Sequence, residues 1–336
     1  MAVSLTDAQW ARIEPLLPDR TPKRGGRWRD HREVIDAIAW KFQTGSQWVH
    51  LPEKYGSWKG AYTRLRNWTI DGTWECVFTA LLAQADADED LEWVVAVDST
   101  IVRAHQHAAG ARKGAPAGEP ADHALGRSRG GLTTKIHLVA DGRCRPLCFV
   151  LTPGQAGDAP AFEQVMVKVR VPRPVGRPRI RLDVVLADKT SHADKRQAVA
   201  VLSPRPDCWG ASQPRLVNRA LRPGHTQRLG SRPRTTATAD VRFPLGALVP
   251  CHPRTPATTR NPGSDPRPRR SAGTPQATRQ PRRPATRLRP RGLQATQHRC
   301  INRLKQWRGI ATRYDKTATV YLAALYIAGI FIWTAT

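Results

Sequence analysis

Acidic residues are scarce in this chain: 27 Asp and Glu stand against 54 Lys and Arg in 336 residues, a formal charge of +27. That imbalance points toward nucleic acid, because clustered cations bind phosphate by releasing counterions. Cysteine is sparse and scattered. Cys76, Cys144, Cys148, Cys208, Cys251 and Cys300 include no Cys-x-x-Cys pair and no histidine partner at finger spacing, which argues against a zinc finger and for a reducing cytoplasm. Met1 to Asp7 lack the basic region and apolar core of a signal peptide. Long apolar runs are missing too, except Val320–Thr336, whose 17 uncharged residues stand at the bottom of the range for a membrane span. A buried core helix is the better expectation there.

A second scarcity is local. From Thr190 to His298 there is no Tyr, Ile or Glu and a single Lys, Lys195, while residues 190–299 hold 16 prolines. Hydrophobic periodicity vanishes over that span, and so proline-rich a stretch cannot build long helices or sheet, so residues 190–299 are expected to be disordered. The charge is concentrated in the same place. Ser191 to Cys300 carry 22 Lys and Arg against four Asp and no Glu, a net of +18, which leaves +9 for the remainder.

What is present begins with helices. Thr6-Asp7-Ala8-Gln9 forms a capping-box pattern ahead of Trp10, Ile13, Leu16 and Leu17, and Pro18 stops the run. Asp30 opens a second helix with Val34, Ile35, Ile38 and Phe42 inward, up to Gly45. A third follows Ser57, its apolar stripe Trp58, Ala61, Tyr62, Leu65 and Trp68, with Lys59, Arg64 and Arg66 off that stripe. A fourth runs from Trp74 through Leu82. Residues 1–85 thus read as a helical, helix-turn-helix-like domain whose third helix suits a major groove. A plain solvated face accounts for the same charges equally well. Asp86 to Glu92 read as an acidic linker, 86–93, forming a solvated hinge.

Val94–Val97 form a short apolar run closed by Asp98, and Leu182–Ala187 repeat the design closed by Asp188. Either aspartate alone is accounted for as the start of a turn. Two acid-tipped core strands together suit a site for a hard divalent cation, which takes oxygen ligands. Between them lie an Ala/Gly-rich basic stretch up to Gly126, read as a mobile loop, a strand at Leu132–Val139, a turn at Asp141-Gly142, a return strand at Pro146–Leu151, and a helix opened by Gly157-Asp158-Ala159-Pro160. His105 and His107 fit surface or phosphate contacts better than a hard-metal site.

In this order the chain resembles bacterial insertion-sequence transposases of the DDE type, in the insertion-sequence five group of IS4-like enzymes. The resemblance is carried by Leu5–Trp10, Tyr55–Trp58 with Asp71–Trp74, Val97–Thr100 with Arg103–His105, Gly126–Lys135, Leu151–Gln155, Leu186–Lys189, and Asn302–Gly309 through the C-terminus. It implies an α/β protein: the helical domain 1–85, the first part of an RNase H-like mixed sheet at 94–189, and its C-terminal helical part at 300–336. It implies strand cleavage and transfer with Mg²⁺ or Mn²⁺ held by Asp98, Asp188 and a third carboxylate. It implies double-stranded DNA as partner (terminal inverted repeats and target), a homo-oligomer on that DNA, and Lys59, Arg64, Arg66, Arg103, Arg127, Arg129, Lys135 and Lys305 as DNA-binding residues.

The third carboxylate is where the chain departs from the pattern. Counting back from Lys305 through the family's Tyr-x₂-Arg-x₃-Glu-x₆-Lys spacing, the Glu position is His298, the Arg position Gln294 and the Tyr position Arg291. A histidine is a poor Mg²⁺ ligand, so catalysis is expected to be impaired. Compensating frameshifts across 190–299 would account for the break. A basic arm that binds DNA is the alternative.

Overall fold

The computed structural model describes residues 4–19, 29–110, 118–187 and 290–335. The first helices start where side chains can take up loose backbone amides. Thr6 Oγ1 accepts from the Gln9 amide (3.3 Å) and Gln9 Oε1 accepts from the Thr6 amide (3.0 Å), which opens α1, Asp7–Ile13. Asp30 caps α2, His31–Thr44, through the Arg32 amide, and Gly45 ends it at φ 70. Helix α3, Trp58–Ile70, and helix α4, Thr73–Ala87, follow, the latter started by Asp71, which accepts from both the amide and the hydroxyl of Thr73.

The sheet is mixed and six-stranded. Its strands are β1 (Val94–Ala104), β2 (Gly126–Ser128), β3 (Gly131–Asp141), β4 (Pro146–Pro153), β5 (Val184–Ala187) and β6 (Thr312–Arg313), and a one-turn helix α5, Gln106–Ala109, follows β1. Strand β1 was expected to stop at Asp98. It runs on to Ala104 because β3 pairs with it antiparallel all the way from Val95↔Asp141 to Arg103↔Thr133, leaving Asp98 in mid-strand opposite Leu138. On the other edge of β1, β5 pairs in parallel as far as Val97↔Ala187, and β6 joins only at Arg103↔Thr312. Among the described residues, the stretch from Asp98 to Val102 therefore has a strand on one side only.

Strand alternation assigns the two faces. Phe149 of β4, in register with Leu138, packs on Phe78 of α4 (5.8 Å between centroids) and on Tyr326 of the C-terminal helix (5.9 Å), so Asp98, Leu138 and Phe149 share the face under those helices. The opposite face carries α6, Asp158–Lys168, fixed by Cys148 Sγ donating to the Val165 carbonyl (3.6 Å).

Helix α9, Ala318–Thr334, is apolar around its whole circumference and is buried on every side by its neighbours. It is the helix the uncharged C-terminal run predicted. Trp333 Nε1 donates to the Pro146 carbonyl (2.7 Å), Tyr326 Oη to Glu75 (3.0 Å) and Tyr321 Oη to the Ile310 carbonyl (2.6 Å), so α9 ties the N-terminal helices to the sheet. Ile13, Phe42, Phe78, Phe149, Val165 and Trp333 belong to one continuous hydrophobic cluster. Among the described residues no helix is long and apolar enough to cross a membrane.

Three segments differ from their sequence reading. The acidic stretch 86–93 is a clasp rather than a solvated hinge: Asp86, nearly buried, accepts from Trp93 Nε1 (2.9 Å), Arg173 (3.2 Å) and Arg179 (3.5 Å), and Asp90 takes Arg143 and Arg145. Its arginine partners come from 53 to 93 residues away, which local composition cannot show. The Ala/Gly-rich loop, where it is described, is tied into the core. Glu119, its side chain wholly buried, accepts from the amides of Ala318 and Thr319 and from His123 Nδ1, and so caps α9 from across the chain. Lastly, α7 spans Pro290–Lys305, so helix resumes ten residues before Cys300. Helix α8, Arg308–Ala311, leads from it into β6. The rest of the Arg/Pro-rich segment, residues 188–289, lies outside the described residues.

Candidate functional site

Asp98 sits where the sheet opens. It is half-buried on β1, one residue past the last β1–β5 pair, and Oδ1 accepts from the Ser99 amide at 2.7 Å. Asp188 follows Ala187 in the chain and lies outside the described residues. Helix α7 packs against β1, and a hydrogen bond with Cys144 and burial, with the charge of Asp98 adding to them, raise the pKa of the Cys300 thiol. His298, at the position of the expected third carboxylate, is exposed on that helix. Among the described residues no three His, Cys, Asp or Glu side chains come together in a way that could hold a metal ion. Of the expected carboxylates Asp98 alone is described, so whether several hard oxygen ligands meet at a divalent cation turns on Asp188.

On the opposite face a polar knot adjoins the same stretch of β1. Ser99 Oγ donates to Asp158 Oδ1 (2.8 Å), and Lys135 Nζ donates to that same oxygen (3.2 Å) and to the Ala156 carbonyl (2.7 Å). His137 Nε2 meets Thr152 Oγ1 at 2.9 Å, and its Nδ1 lies 3.7 Å from Asp158. Burial lowers the pKa of His137, with Asp158 opposing and Lys135 adding to the effect. Lys135 was expected to touch DNA; its ammonium is instead consumed inside the protein. Ser99 and His137 face each other across β1 and β3, a pairing that needs the strand register and so has no signal in the sequence.

The remaining basic residues fall in three places. Lys59 and Arg66 are exposed on α3, and Lys59, Thr63, Arg64, Asn67 and Asp71 line an open concavity with Trp68. Arg64 is only partly available: its guanidinium meets His31 Nδ1 at 3.0 Å and lies 5.1 Å from the Trp68 ring, and burial lowers its pKa. Arg103, Arg127 and Arg129 are exposed together at one end of the sheet, where Arg103 pairs with Thr133 and Arg127 with Leu132. Lys305 is half-exposed at the end of α7. His105 and His107 stack on each other (4.8 Å), and His105 lies 5.0 Å from Tyr314.

Comparison with known proteins matches both parts of this architecture. Residues 5–78, which include α1 to α3, fit the family model described as a "transposase of IS4/5 family", and residues 89–235 fit the "Transposase DDE domain". The second match runs past Lys189, where the recognisable motifs stop. An uncharacterized protein, y4sN, of Sinorhizobium fredii is 40% identical over 109 residues, 32% of this chain and 83% of the relative. A 16.2 kDa uncharacterized protein of insertion element IS402 from Burkholderia cepacia is 34% identical over 107 residues, 30% of this chain and 73% of the relative. No solved structure matches. The helical N-terminal part and the sheet carrying Asp98 are thus both accounted for by one lineage, and this chain belongs to the IS4/5 family of insertion-sequence transposases.

Proposed function

We propose that the chain binds the double-stranded DNA of its insertion element as a transposase whose strand-cleaving centre is impaired. DDE transposase domains generally use divalent metal ions, and their chemistry is attack on phosphodiesters. The observation that carries the reading is α7. It is packed on β1 beside Asp98, as a helix delivering a third carboxylate would be, yet the residue at that position is His298. Asp98 and Asp188 then remain as a pair without their third partner, with weakened affinity for Mg²⁺ or Mn²⁺. Lys59 and Arg66 on α3, and Arg103, Arg127 and Arg129 at the sheet end, supply phosphate contacts that need no metal. Two copies would pair the two terminal inverted repeats, in the cytoplasm where that DNA lies.

The test is nicking of a supercoiled plasmid carrying the element's ends, with Mg²⁺ or Mn²⁺ present. The expected result is DNA binding without cleavage, and measurable nicking on His298→Glu. Metal-dependent nicking by the unaltered chain that disappears in Asp98→Asn would overturn the impairment. If binding survives and His298→Glu stays inactive, the chain acts as a non-catalytic DNA-binding remnant.

A further inference from the structure

The connection from α6 to β5 is a basic hairpin with a narrow, stiff tip. Its base is fixed by two backbone hydrogen bonds between Val171 and Arg179 (2.9 and 2.8 Å). Val171 is buried, the Arg179 guanidinium lies 4.0 Å from the Trp93 ring, and Arg173 and Arg179 both reach Asp86. Those two arginines are structural. Between them the tip reads Pro174-Val175-Gly176-Arg177-Pro178 and is exposed throughout, Val175 to 88%. Arg177 makes no hydrogen bond or ion pair among the described residues. Gly176 sits at φ 90 with nothing within 4 Å of where a Cβ would stand, so the tip is as thin as a backbone can be. Pro172, Pro174 and Pro178 remove amide donors and restrict the backbone at Arg173 and Arg177, so less backbone entropy remains to be lost on binding.

We propose that this tip enters the minor groove of DNA, with Arg177 lying along the groove floor and Val175 against its wall. The proposal rests on the DNA-binding reading above and adds the groove and the residue. Residues 172–178 offer only Pro, Arg, Val and Gly. They contain no carboxylate to repel phosphate, and the tip is slim enough for a groove roughly 6 Å wide, where one extended arginine fits without an accompanying helix or ribbon. An arginine in that groove responds to its width and negative potential, both of which are enhanced in A-tracts. The contact therefore favours A·T-rich duplexes.

The experiment is fluorescence anisotropy of the full chain on two 20-base-pair duplexes, one with an A-tract centre and one with a G·C centre, at 0.2 M salt. Phosphate contacts are common to both duplexes, so the change that Arg177→Ala makes in the affinity ratio isolates the tip. We expect about a tenfold preference for the A-tract, the size of one good groove contact. Arg177→Ala should reduce that preference to less than about twofold with an unchanged circular dichroism spectrum, Arg177→Lys should retain part of it, and a netropsin-class minor-groove ligand should erase it. A ratio near one for the unaltered chain, or a preference that Arg177→Ala leaves intact, overturns the proposal while DNA binding stands. No binding to either duplex removes the DNA-binding reading itself.

Discussion

Replacing Glu119 by alanine tests whether the loop that follows α5 is part of the fold. The Glu119 carboxylate is fully buried and receives the first two amides of α9, Ala318 and Thr319 (2.9 Å for the latter), together with His123. Loss of an N-cap costs about 1–2 kcal/mol, and the negative charge at the positive end of the helix adds up to about 2 kcal/mol in a buried setting. Glu119→Ala should therefore destabilise the chain by about 3 kcal/mol, and Glu119→Gln, which keeps one acceptor but no charge, by about 1–1.5 kcal/mol. Burial alone would raise this carboxyl, but donation from Thr319, His123 and Ala318 outweighs burial and holds its pKa below the ordinary value. Its stabilisation is thus present above the unfolded value, about 4.3, and is lost as pH falls through the lower folded value. Urea denaturation followed by tryptophan fluorescence, repeated from pH 7 to pH 3, should show the unaltered chain losing stability more steeply than Glu119→Gln at the acid end. Superimposable pH profiles, or an alanine effect below about 0.5 kcal/mol, would refute the cap.

Further outcomes can be checked independently. Arg145 is completely buried between Asp141 (2.7 Å), Asp90 and the Trp333 ring (4.0 Å), and Asp141 is itself buried with a pKa raised by desolvation. Arg145→Met should cost about 3–5 kcal/mol by stranding that carboxylate, and adding Asp141→Asn should recover part of it in a double-mutant cycle. Lys59→Ala with Arg66→Ala should lower DNA affinity and reduce the slope of log affinity against log salt by about 2. Lys135→Ala should leave that slope unchanged while lowering stability, because its ammonium holds Asp158 and the Ala156 carbonyl. A hydrogen bond from Cys300, helped by Arg299 and Arg303, brings the Cys144 thiol down to about 7, whereas burial pushes Cys148 up to about 12. Iodoacetamide labelling read by peptide mass spectrometry should therefore spare the buried Cys148 at pH 8 in the folded chain and reach it once urea unfolds the protein.

Local periodicity and caps made the helical part readable. Thr6, Asp30 and Gly45 do in the structure what their residue types suggest, because a cap involves neighbours within four positions. The length of β1 was not readable, since its continuation past Asp98 depends on β3, more than 30 residues on, and a strand carrying Asp98, Ser99 and Thr100 looks from local composition like a strand that has ended. Glu119, Asp86 and Lys135 share a cause. Each is charged and surface-like by composition, yet each finds partners at separations of 21 to 200 residues. Charge alone cannot distinguish a side chain waiting for DNA from one already used inside.

Helix α9 has a consequence for synthesis. The faces of α4 and β4 that it covers are complete long before it exists: 247 residues separate Ala87, the last of α4, from Thr334. At about 5–20 residues per second, the ribosome leaves Phe78 and Phe149 without their Tyr326 neighbour for roughly 10–50 s. During that interval the nascent chain shows a holdase-type chaperone an uncovered aromatic surface, so the speed of translation, as much as equilibrium stability, governs how much folded protein a cell obtains.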